Sequence, residues 1–90
     1  MELENIESLL IQAGFEKYGW IHYHEPPLLA YRYPSNGAYE FEVIINNESK
    51  GIEIVNYKKW REGIRHNISE CISWSECTIE WINDCLKKFK

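Results

Sequence analysis

Few side chains in this sequence could do chemistry, and the stretch "GWIHYHEPP" (19–27) holds the first of them. If the segment is a strand, His22 and His24 point to one face, about 7 Å apart along the chain. Two imidazoles so placed can share a Zn²⁺, Ni²⁺ or Fe²⁺ ion when a third ligand joins them. Glu25 points to the opposite face, and no spacing ties His66 or a cysteine to this segment. Tyr18 and Trp20 fall on the same face as the histidines, which favours a solvated strand face over a metal site. The expectation is no bound metal and no cofactor, with His22 and His24 the candidates if that is wrong.

The thiols come next. Cys71, Cys77 and Cys85 are odd in number and spaced by six and eight, so they form neither a redox pair nor a zinc pattern. A nucleophilic cysteine needs a positive, partly exposed setting and a base such as His66 or His22. Cys71 instead follows Glu70, and Cys77 follows Glu76. There is no glycine-rich phosphate loop and no G-x-S-x-G. The expectation is a protein that is not an enzyme, with a metal or thiol enzyme as the second alternative.

Two surfaces remain. "KKWREGIRH" (58–66) gathers Lys58, Lys59, Arg61 and Arg65 around Trp60, with Glu62 opposing them. Cations around an indole can hold phosphates while a base stacks on the ring; the alternative is a solvated connection whose Trp60 fills the core. The second surface is on the C-terminal segment. At 100° per residue, Ile79, Ile82, Leu86 and Phe89 form one stripe, and Trp81, with Trp74, falls about 200° away. Cys85 lies between the stripes. Either a neighbouring segment within 60–73 covers the tryptophans, or they form an aromatic contact patch extended by Tyr31 and Tyr33.

The elements that must position these groups follow from periodicity. Leu3, Ile6, Leu9, Leu10 and Ala13 predict a helix over 3–13 that ends at Gly14. Trp20–His24, Leu29–Tyr33, 39–45 and 52–57 predict strands, with turns at "PSNGA" and "NNESKG". Face matching pairs Tyr33 with Tyr39, Tyr31 with Phe41 and Leu29 with Val43, and sets Arg32 against Glu40 on the outer face with Glu42 and Ile44. Residues 58–73 read as a short helix or turn followed by something irregular or extended, with Gly63 weakening the helix. Ser73 and Glu76 form an S-x-x-E box at the start of the last helix, which ends in Lys87, Lys88 and Lys90. The whole predicts one α+β domain over 1–90: an N-terminal helix, an antiparallel meander of three to four strands, and a C-terminal helix packed on the sheet.

Composition narrows the function classes. Hydrophobic residues at 44% and charged residues at 27% belong to a globular chain. A net charge of −4 does not favour general nucleic-acid binding. No apolar run approaches the roughly 20 residues of a membrane span. The opening residues are acidic rather than basic and apolar, so the expected location is cytoplasmic. The expected function is a small protein-binding module, of the kind a phage or mobile element uses to inhibit host machinery, or a regulatory adaptor. Its expected contact residues are Trp74, Trp81, Cys85, Tyr31 and Tyr33, and its partner another protein or a second copy. The alternative is a nucleic-acid-binding module built on Lys58, Lys59, Trp60, Arg61 and Arg65.

Overall fold

A computed structural model describes residues 2–21, 27–35, 38–64 and 66–88. The histidine pair at 22 and 24, Glu25, Arg65 and Phe89 lie outside the described residues. The fold is α+β, with two helices on one face of an antiparallel meander. Its elements are α1 (Leu3–Gln12), β1 (Glu16–Ile21), β2 (Leu28–Ser35), β3 (Ala38–Asn46), β4 (Gly51–Asn56), α2 (Tyr57–Arg61), β5 (Ser69–Ser73) and α3 (Ile79–Lys88). The sheet order is β1-β2-β3-β4-β5, with every pair antiparallel. The expected three to four strands are therefore five, because the segment before Trp74 is a full edge strand.

Helix α1 stops where Gly14 allows a left-handed residue (φ 101°). The Phe15 N–H donates to the Leu10 carbonyl and the Gly14 N–H to the Ile11 carbonyl, so the last turn's carbonyls are satisfied. Ile6 and Leu10 face inward and meet Leu29, Phe41, Val43, Ile45, Ile52 and Ile54 from the sheet and Ile82 and Leu86 from α3. Alternate residues of β2, β3 and β4 thus line one core, as period-two patterning dictates.

The register differs from face matching by two residues. Tyr33 pairs with Phe41, Tyr31 with Val43, Leu29 with Ile45 and Arg32 with Glu42. Near the turn, Ser35 pairs with Ala38 and Pro34 with Tyr39, and the ladder shifts between Tyr33 and Pro34. Without that bulge Tyr33 would oppose Glu40, and the apolar faces of β2 and β3 would point in opposite directions. The extra residue restores the match. The expected faces survive because the error is even-numbered, but the partner of Arg32 changes.

A second shift falls between Lys17 and Gly19 in β1. It sends Tyr18 to the outer face, where the Arg32 guanidinium carbon sits 3.6 Å from its ring centroid. Trp20 pairs with Leu29 on the inner face. Tyr18 and Trp20 therefore do not share a face. Glu42 lies on the outer face as expected, but it is buried rather than solvated, because Arg32 Nε donates to its Oε2 at 3.0 Å and Tyr18 covers the arginine.

The last helix begins later than the S-x-x-E box implies. Trp74–Glu76 is a short 3₁₀ turn, and Ser73 accepts no capping bond from the backbone. The Thr78 hydroxyl accepts from the Trp81 N–H at 3.1 Å, so Thr78 caps α3.

Candidate functional site

The expected aromatic patch is taken apart by the fold. Trp74 is buried, its Nε1 donating to the Gly51 carbonyl at 3.1 Å and its ring lying under Lys50 Nζ. Cys85 is buried in the core. Tyr31 is buried and donates its hydroxyl to Glu7 Oε2, which Lys17 Nζ approaches to 3.5 Å. Burial and the Glu7 carboxylate both raise the Tyr31 phenol above its ordinary range. Tyr33 is half-buried, with its ring edge-on to Phe15 and Phe41. Trp81 is half-buried beneath β5, and its Nε1 donates to Glu70 Oε1 at 3.0 Å. Lys88 Nζ donates to the other Glu70 oxygen, also at 3.0 Å. The segment covering the second stripe is β5, and Trp74, Tyr31 and Cys85 offer a partner no surface in this fold.

The basic segment is built differently. Asn56 ends β4 and caps α2: its buried Oδ1 accepts from the Lys59 N–H at 2.9 Å. The helix is only Tyr57–Arg61 because Gly63 turns left-handed (φ 89°). The Ile64 N–H donates to the Lys59 carbonyl and the Gly63 N–H to the Trp60 carbonyl, closing the helix with a Schellman motif. Gly63 terminates the helix and does not merely weaken it. Within this clamped turn the Trp60 ring stacks on Tyr57, with centroids 5.1 Å apart and planes at 29°. The Arg61 guanidinium lies over Tyr57 at 5.0 Å. Trp60 is 42% exposed and Ile64 40% exposed. Lys58 and Arg61 are exposed and Lys59 half-buried. Trp60 is therefore an exposed ring among cations and does not fill the core. Residues 57–66 carry a formal +3, leaving −7 for the rest of a chain whose total is −4.

Nucleophilic and metal chemistry find little support among the described residues. Burial pushes the Cys77 and Cys85 thiols up to about 11. Cys71 is exposed, yet partial desolvation and the neighbouring Glu53 raise its thiol too. These settings oppose thiolate formation. No group of three His, Cys, Asp or Glu side chains among the described residues could hold a metal ion. No helix among the described residues is long and apolar enough to cross a membrane. Comparisons with protein-family models, with curated proteins and with solved structures find no match.

Proposed function

We propose that this chain is a small binding module whose contact surface is the α2 face around Trp60, and that its ligand is a single-stranded nucleic acid. The observation that carries this reading is the exposed Trp60 ring, stacked on Tyr57 and flanked by Lys58, Lys59 and Arg61. A π-face of this kind accepts any base, and the cations beside it suit the adjoining phosphates. The concentration of positive charge in one segment of an otherwise acidic chain favours one docking point over diffuse binding.

Fluorescence anisotropy with labelled oligo(dT) and oligo(U) strands, and with a duplex of equal length, tests the reading. Single strands should bind in preference to the duplex. With three or four phosphates engaged, log K against log salt should fall with a slope of about −2 to −3. Trp60→Ala should weaken binding by about 1–3 kcal/mol, the value of one stacked base, with a much smaller effect on the thermal melt. Strand binding that Trp60→Ala leaves intact refutes the site.

The second reading is the protein partner expected from composition. Tyr57, Trp60 and Arg61 are the residue types that dominate protein interfaces, and Ile64 adds apolar surface beside them. Failure of the chain to bind any strand at low salt leaves this reading, with a partner that presents acidic groups to α2.

A further inference from the structure

We propose that β5 is a pairing edge, at which a second copy of this chain adds its own β5 antiparallel and continues the sheet. The inference goes beyond the α2 reading and does not depend on it.

The ladder fixes which backbone groups are free. The Trp74 N–H donates to the Lys50 carbonyl and the Asn56 N–H to the Ile68 carbonyl. With the register Ile52↔Ile72 and Ile54↔Glu70, the hydrogen-bonded positions of β5 are the even-numbered ones. Ser69, Cys71 and Ser73 therefore turn their N–H groups away from β4. The carbonyls of Ser69 and Cys71 do the same, while that of Ser73 is taken up by the 3₁₀ turn that follows. The side chains of these three residues are exposed.

The two edges of the sheet differ. At β1 the ladder is broken between Lys17 and Gly19, a lysine lies in the strand, and Gly19 takes φ 130°. These are devices that stop a strand from recruiting another. β5 has no bulge, proline, lysine or arginine. Its one charge, Glu70, faces inward and is held by Trp81 and Lys88.

The sequence S-E-C-I-S also suits a copy of itself. With Cys71 on the two-fold axis, Ser69 meets Ser73 of the second copy, Glu70 meets Ile72, and no charge opposes its like. Cys71 and its copy exchange reciprocal backbone bonds, and each Ser73 N–H donates to the other copy's Ser69 carbonyl. Directly opposed residues of a hydrogen-bonded pair have Cα atoms about 5.5 Å apart. That is within the range of roughly 4.4–6.8 Å that a disulfide spans.

Sedimentation velocity over a wide range of protein concentration, beside mild oxidation with diamide, tests this. The expected result is a concentration-dependent dimer that diamide traps through Cys71, the two thiols losing two protons and two electrons to the diamide. Cys77 and Cys85 are buried and stay reduced. Cys71→Ser should keep the dimer and abolish the covalent trap. Cys71→Lys should abolish the dimer, because it sets two ammonium groups opposite each other on the axis. It should also leave the monomer's melt intact, since the lysine lies directly opposite Glu53 of β4. A chain that sediments as a monomer throughout, or a dimer that Cys71→Lys leaves unchanged, overturns the proposal.

Discussion

Replacing Trp81 by phenylalanine separates two ways in which this side chain supports the fold. An aromatic ring stays beneath β5, but the N–H that donates to Glu70 Oε1 at 3.0 Å is gone. A hydrogen bond to a charged group contributes about 1.5–3 kcal/mol when well shielded. The Glu70 side chain is 33% exposed, so water recovers part of the loss, and about 1 kcal/mol remains. The smaller ring adds a packing loss that does not depend on pH. The hydrogen-bond share does depend on it. The bonds from Lys88 and from the Trp81 indole hold the Glu70 carboxyl below its ordinary value of 4.5. A carboxyl depressed in the folded state contributes stability that is fully present above its unfolded value and is lost as pH falls through its folded value. The gap between wild type and Trp81→Phe should therefore be widest near neutral pH and should narrow by about 1 kcal/mol as pH falls below 4.5. Urea denaturation of both proteins across that window measures it. For thermal melts, 1 kcal/mol corresponds to about 4–8 °C in a domain of this size. A gap of equal width at every pH would show that the indole acts through packing alone.

Two stability comparisons accompany it. Thr78→Ala should cost about 1 kcal/mol through loss of the α3 cap, and Ser73→Ala clearly less, when both are compared by urea titration; the reverse order would restore the earlier start of the helix. Phe41→Ala should cost about 3–5 kcal/mol as a core truncation, and Glu42→Ala about 1–3 kcal/mol because the shielded bond from Arg32 Nε to the Glu42 carboxylate is lost; a neutral Glu42→Ala in the same titration would mean that the outer-face ion pair contributes nothing.

Local patterning and turn chemistry account for most of the architecture. Gly14 marks the end of α1, and the alternation over 39–45 is strong enough to set the core face of β3. What alternation cannot convey is an inserted residue. The bulge at the β2–β3 turn moves Arg32 from Glu40 to Glu42, and the bulge in β1 puts Lys17 and Trp20 on one face although three positions separate them. Period-two reasoning fails at both points for the same physical cause. β5 was half legible: Ile72 has the spacing of a strand, but Glu70 occupies an inward position that reads as polar until Trp81 and Lys88 are seen to satisfy it. That partnership is also why the second stripe of α3 is not a free patch. Exposure of Trp60 could have been anticipated from Gly63. A glycine at C′ ends a helix, and a helix of five residues has little length with which to carry its tryptophan back over the core.

The bulge in β1 has one more consequence, for the size of any assembly. A sheet with two open edges can add copies at both ends and grow into a fibre. Here the shift between Lys17 and Gly19 leaves β1 unable to present a regular row of donors and acceptors. Pairing through β5 consumes the one regular sheet edge that each copy has among the described residues. The resulting sheet is closed by a guarded β1 at either end, and edge-to-edge growth stops at two chains.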